Sequence, residues 1–304
     1  MKNLIAVLGL FFLLFSCSET DILDETGQME VTEFNLPNLP EGYFYEAWLL
    51  TDGSYVSVGR INNDSIQNNI ARFSKIDATD LSKAQSFAIT VETTSGSPSD
   101  YVLLVGDFTG NSAQLHTNST VSNGVLSLTN RISGAYTVQN ASVPDSEQGN
   151  YGTNGIWFFK GSGNNKEATL KLDYKELSYQ AWLVKTENNN DWNLNMGIIK
   201  SDTLADTWKS FIPAPFATNV PDFPGEDFLQ QPGSGTSYPE GFFPVDVKGS
   251  KVIITPIFSN YNNPDIPFPI YLLEAVVPTD AVKDVNLTRE LQINTSYSAK
   301  ATKL

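Results

Sequence analysis

One stretch of this chain occurs twice. Tyr45-Glu46-Ala47-Trp48-Leu49-Leu50 returns as Tyr179-Gln180-Ala181-Trp182-Leu183-Val184. In each copy a glycine preceded by an apolar residue follows, in Val58-Gly59-Arg60-Ile61 and in Met196-Gly197-Ile198. Further on, Phe87-Ala88-Ile89-Thr90-Val91-Glu92 parallels Val252-Ile253-Ile254-Thr255-Pro256-Ile257. Order is kept across the whole set, so the chain reads as two copies of one unit, residues 31–128 and 129–286. Self-similarity of this kind restricts the fold to an arrangement of two like parts.

The unit is built from strands. Runs rich in Val, Ile, Thr, Tyr and Phe fall at 56–58, 87–92, 101–105, 155–159, 168–172, 179–185, 252–257 and 270–277. Each is bounded by Gly, Pro, Asn, Asp or Ser. Asp52-Gly53, Asn123-Gly124 and Asn154-Gly155 are tight-turn signals. This pattern predicts an all-β chain of two tandem β-sandwich domains. One short helix is expected near Ser201–Trp208, and residues 287–304 are expected as a C-terminal tail. The copies differ in length: Trp48 and Thr90 are 42 residues apart, Trp182 and Thr255 are 73 apart. Twelve of the 16 prolines lie between 213 and 278. The added segment, centred on 213–244, is therefore expected to be irregular, because Pro breaks helix and sheet interiors alike. A long ordered loop on a β scaffold either carries function or covers a sheet edge.

The N-terminus gives the compartment. Leu4 to Phe15 is an apolar run of twelve residues behind Lys2, too short to span a bilayer and of the length of an export signal. The only Cys follows at once, in Leu14-Phe15-Ser16-Cys17. This resembles a bacterial lipobox, with a branched apolar residue at −3 and a small one at −1. The resemblance implies cleavage after residue 16 and a lipid on the Cys17 thiol; the alternative is an ordinary signal peptide cut elsewhere. Residues 17–30 read as an acidic tether. Acidic residues just after the acylated Cys resemble the surface-export signal of Bacteroidetes-type lipoproteins, so the chain is expected as an outer-membrane lipoprotein, periplasmic or surface-exposed.

A second resemblance is carried by Leu39-Pro40, Tyr45, Trp48, Leu49, Asp52-Gly53, Gly59, Phe87 to Glu92, Gly96-Ser97-Pro98 and Gly106. In this order they are similar to the extracytoplasmic C-terminal domain of anti-sigma-K factors. The second copy keeps Tyr179, Trp182, Gly197 and the strand at 252–257, but has Pro256 for the Val and lacks the Glu. The resemblance implies a small β-sandwich acting outside the cytoplasm. It implies no direct binding of a sigma factor, which in that family falls to a separate cytoplasmic segment joined by a membrane helix.

Composition excludes several functions. With 19 basic against 34 acidic residues and a net charge of −15, the chain is unsuited to nucleic acid, which is bound through Lys and Arg on phosphate. One His and one Cys provide no thiolate–imidazole metal cluster and no disulfide. A Ser/His/Asp set would have to use His116, which reads as an exposed strand end, and there is no Gly-x-Ser-x-Gly elbow. Calcium is the one metal whose ligands are present in type, at Asn62-Asn63-Asp64, Asn188 to Asp191 and Asn262 to Asp265, but none has EF-hand spacing. All three read more simply as β-turns, since Asn and Asp tolerate left-handed backbone.

Trp48 and Trp182, repeated beside apolar neighbours, are assigned to the core. Trp192, Trp208 and Phe223 fall outside the repeat and are candidate platforms for a sugar or a protein. Glu226-Asp227 either caps backbone N–H groups in a turn or contacts a ligand; adjacent residues on an extended backbone face opposite ways, so they form a poor catalytic pair. The expectation is a non-enzymatic, lipid-anchored envelope protein that binds or senses a glycan or protein. The rival readings are a structural or regulatory partner of an envelope membrane protein and, behind that, a glycan hydrolase.

Overall fold

The computed structural model describes residues 26–304 apart from 95, 176, 234, 235, 259, 260 and 262. Cys17 and the tether up to residue 25 lie outside the described residues. The chain is all-β, with antiparallel pairing throughout and two short helices, α1 (Asn63–Gln67) and α2 (Ala78–Lys83). The first seven strands are β1 (Thr26–Asn35), β2 (Phe44–Thr51), β3 (Ser54–Ile61), β4 (Ile70–Asp77), β5 (Ser86–Glu92), β6 (Val102–Thr109) and β7 (Ser112–His116). Next come β8 (Ser133–Val138), β9 (Gly155–Trp157), β10 (Phe159–Lys160), β11 (Glu167–Ala168), β12 (Leu170–Lys171), β13 (Ser178–Glu187) and β14 (Asn190–Ile199). The last six are β15 (Gly225–Asp227), β16 (Lys251–Ile257), β17 (Leu273–Val276), β18 (Arg289–Glu290), β19 (Gln292–Ile293) and β20 (Ser298–Lys303).

The repeat has a structural basis. One sheet runs β3-β2-β5-β6-β7-β20-β1-β4, and another runs β14-β13-β16-β17-β19. The leading four strands of each have the same chain order and the same register. Glu46 faces Thr90 and Trp48 faces Ser57; Gln180 faces Thr255 and Trp182 faces Asn195. Both hairpins turn on two left-handed residues, Asp52-Gly53 (φ 47 and 81) and Asn188-Asn189 (φ 53 and 60). Two-residue loops of this kind match the right-handed twist of their strands. Both also carry a bulge just before the repeated tryptophan, beside Gly59 and Gly197, which take φ 143 and 97. The repeated residues are thus those that a bulged, buried hairpin needs. Trp48 and Trp182 are 1% and 0% exposed. Tyr45 and Tyr179 are buried too, and their hydroxyls donate to Pro37 O and Asp173 O, so each ring fills the core without stranding its polar end.

Residues 287–304 are not a tail. Residues 289–293 run between β17 and β8, and β20 then lies inside the first sheet, paired to β1 on one side and β7 on the other. Ala299 and Ala301 are buried in alternation there. Both halves are therefore completed by the last segment of the chain, and one apolar core cluster extends through both. The helix expected near Ser201–Trp208 is absent; that stretch is a series of bends, because the Asp206 carboxylate turns back onto the Trp208 N–H and competes with helical bonding. Asn62 is the N-cap of α1 rather than a turn residue, accepting from Ser65 N. Among the described residues between 213 and 244 the regular structure is one 3₁₀ turn, Ala214–Phe216, and β15.

Candidate ligand-binding groove

The edge of the second sheet is β14, and the Pro-rich segment and the turn that leads into it cover it. The Thr207 hydroxyl accepts from Ile198 N, and the Tyr238 hydroxyl donates to Asn193 O. These bonds occupy edge groups that would otherwise be open to pairing with another chain. Along β14, Leu194 and Met196 enter the core, while Asn193 and Asn195, two apart, share the other face. The Asn195 amide is fixed on every side used. Its Oδ1 accepts from Gln180 Nε2 (3.1 Å) and Gly197 N (2.8 Å), and its Nδ2 donates to Pro264 O (3.0 Å). Asn193 Nδ2 donates to Asp265 O.

Between the Pro-rich segment and the 263–266 turn lie two adjoining cavities. One, of 250 Å³, is lined by Asn193, Asn195, Trp208, Phe211 and Tyr238 among others. The other, of 280 Å³, takes Gln180, Asn195, Thr207, Trp208 and Tyr261. Trp208, Asn195 and Pro264 belong to both. A third cavity, of 590 Å³, opens where the two sheets meet. It shares Ile198, Ile257 and Tyr261 with the middle one and adds Glu92, Ser99, Tyr101 and Lys200. Tyr101 is held by donation to Ile257 O (2.8 Å) and by its ring lying 4.1 Å from that of Phe258; burial raises its hydroxyl to about 12. Burial likewise raises the Glu92 carboxyl, against the lowering effect of the Ser99 N–H.

The expected site residues separate into two groups. Trp208 lines the groove. Trp192 is half-buried, 5.7 Å from Tyr238 and 5.9 Å from Phe242, and supports the wall from behind. The indole N–H groups of both are buried without a partner among the described residues, so what each ring shows to solvent is carbon. Phe223 sits elsewhere, 4.9 Å from Phe159. Glu226 and Asp227 are both 0% exposed and reach no groove wall. They lie on β15 paired to β9, not in a turn. Asp227 accepts from Ser142 N and Oγ and from Trp157 Nε1 at 2.8, 2.5 and 2.6 Å, and burial still raises it to about 6. Glu226 has no partner for either oxygen among the described residues; burial first, then the neighbouring Asp206 and Asp227, push it well above the usual range. Asp206 accepts from Trp208 N and Gly225 N and is raised by burial to about 7. This acid group lies under the groove and fixes the Trp208 turn against β15.

Asn193, Asn195, Gln180, Tyr238 and Tyr261 were not expected. The alternation Trp192-Asn193-Leu194-Asn195-Met196 carried a signal for the first two, since amides at every second position of a strand occupy one face. His116 ends β7 and is exposed. The asparagine amides of these stretches are used within the protein: Asn263 accepts from Asp265 N and Ile266 N, and Asn63 accepts from Leu39 N and donates to Leu39 O. Among the described residues no three His, Cys, Asp or Glu are placed to hold a metal ion. No helix among them is long and apolar enough to cross a membrane.

A stretch within the first half resembles a known family. The model of the family "Anti-sigma-K factor rskA, C-terminal" matches residues 22–102. The match runs from before β1 to the first residue of β6, and so includes the bulged β2–β3 hairpin and β5. The likeness is to an anti-sigma-factor-related domain and covers that part of the chain alone. In that part the position of Gln180 is taken by Glu46, 2% exposed, which accepts from Ser57 Oγ; the amide-lined groove belongs to the second half. No curated protein and no solved structure matches the chain.

Proposed function

We propose that this chain is a non-enzymatic, lipid-anchored protein of the bacterial outer membrane that binds a glycan in the groove beside β14. The observation that carries this reading is the pairing of one aromatic face with fixed amides: Trp208 lines two adjoining cavities together with Asn195, whose side chain is locked by three hydrogen bonds. Sugar rings present apolar faces and hydroxyl edges, and mostly apolar concavities with a few placed polar groups suit such ligands. Prearranged side chains lose little freedom on binding. Cys17 supplies the anchor in this reading, and several acyl chains at one residue hold far more firmly than one.

The test is a screen of the purified chain on an array of neutral and anionic glycans, repeated with Trp208→Ala. The reading expects neutral glycans bound by the parent and lost by the variant. A blank array, or binding indifferent to Trp208, refutes it. In cells, Cys17→Ser should move the protein from the membrane to the soluble fraction; continued membrane association would refute the anchor. The anti-sigma-K likeness of residues 22–102 favours a second reading, a regulatory partner of an envelope membrane protein, for which co-purification of such a protein with a sugar-blind chain would be the evidence.

A further inference from the structure

We propose that the groove takes a neutral, linear polysaccharide along its length, over both sheets, rather than a single terminal sugar. This rests on the glycan reading above and specifies its ligand. The three cavities form one series: the narrow and middle ones share Trp208, Asn195 and Pro264, and the middle and wide ones share Ile198, Ile257 and Tyr261. Aromatic side chains recur along it, with Tyr238 at the narrow end, Trp208 common to the first two cavities, Tyr261 common to the last two, and Tyr101 in the widest. Between them stand hydroxyl and amide groups of Gln180, Thr207, Ser178 and Ser99. That alternation repeats the demand of a sugar chain, a ring face and then a hydroxyl edge.

Charge selects among such chains. Among the described residues, the narrow cavity has one acid in its wall, Asp265, the middle one has no ionisable group except the tyrosine hydroxyl, and the wide one holds one acid and one base, Glu92 and Lys200, besides its tyrosines. One lysine in a chain of net charge −15 does not favour a polyanion. Both ends of the series are held in place. Tyr101 is anchored to Ile257 O across the two sheets, and the 263–266 turn to Asn193 and Asn195. A chain laid in the groove therefore meets several rigid subsites at once, and each subsite filled multiplies affinity.

The experiment is a titration of the full mature chain in detergent with β-1,4- and α-1,4-linked glucose oligomers, from disaccharide to octasaccharide. Polygalacturonate serves as the anionic control. The expected result is an affinity that rises at least about tenfold, the factor given by about 1.4 kcal/mol, between disaccharide and hexasaccharide in one of the two series, with polygalacturonate weak. Tyr261→Ala and, as a second surface variant, Lys200→Trp, which narrows the wide cavity, should weaken only the long oligomers. Trp208→Ala should weaken all of them. Equal affinity for short and long oligomers, still dependent on Trp208, would overturn the polymer proposal and leave the glycan reading standing. Polygalacturonate bound more tightly than the neutral series would overturn neutrality. No binding of any sugar at any length would sink both.

Discussion

Gly197 links the fold to the groove, and replacing it with Ala tests that link. A Cβ at this position would lie 2.5 Å from Asp206 Oδ1, 2.8 Å from Trp208 N and 2.9 Å from Trp208 Cβ. The backbone is also at φ 97, where an L side chain costs about 1–2 kcal/mol. Overpacking of a buried site adds about 1–3 kcal/mol. The strain is relieved only if the 206–208 turn moves off the bulge. That motion lengthens the Asp206–Trp208 and Asp206–Gly225 bonds, now 2.8 and 2.9 Å, and displaces the indole that lines the groove. The expected outcome of Gly197→Ala is a loss of roughly 2–5 kcal/mol in urea unfolding, together with loss of sugar affinity. Gly59→Ala is the matched control. It sits at the same bulge of the first sheet with φ 143, and its Cβ would meet the Phe73 ring at 2.9 Å. It should lose stability and keep affinity once folded. A Gly197→Ala chain with unchanged unfolding and unchanged binding would refute the coupling.

Three further outcomes are expected. Deleting residues 296–304 removes β20 from the interior of the first sheet and leaves two unpaired edges, at β1 and β7. Limited proteolysis should then cut the first half rapidly, and a deletion as resistant as the parent would contradict the topology. Asp227→Ala leaves the Ser142 N–H, the Ser142 hydroxyl and the Trp157 indole without their acceptor. A loss of about 3–5 kcal/mol is expected, read by urea unfolding, whereas a loss below about 1 kcal/mol would show the three donors to be satisfied otherwise. The third concerns pH. Asp206, Glu226 and Asp227 are raised in the fold, so the native state holds protons that the unfolded chain releases above about pH 4. Stability should therefore fall as pH rises from about 4.5 through about 7. Asp77 and Asp246 are lowered and act only below that window. Glu226→Gln should flatten the decline in thermal scans; an unaltered slope would remove Glu226 from the explanation.

Much of the scaffold could be read directly from the residues, for a physical reason. Tyr45, Trp48, Gly59 and Thr90 and their counterparts recur because a bulged hairpin buried on its sheet needs a large aromatic, a residue free to take positive φ and a β-branched neighbour in one register. Those demands are local and leave a periodic trace. The interior strand β20 left little trace, because its buried residues are the small Ala299 and Ala301, set among Lys300, Thr302 and Lys303. Alternation between alanine and polar residues looks like a solvated terminus until a partner strand on each side is known. Glu226 and Asp227 were opaque for the opposite reason. A Gly-Glu-Asp segment between prolines reads as a turn, and only long-range pairing with β9 and the donors of Ser142 and Trp157 turns it into buried sheet. Trp208 was visible as an aromatic outside the repeat. The amides that share its cavity were visible only as an alternation along β14, a strand whose outer face could not be assigned until the Pro-rich segment was seen to cover its edge.

A crystal structure of the chain with the tightest neutral oligosaccharide from the length series tests the central claim most directly. Sugar rings are expected along the groove, one against the exposed carbon face of Trp208, with the chain continuing past Tyr261 toward Tyr101. Sugar density confined to another surface, such as the Phe223 face, with the groove beside β14 empty, would contradict it.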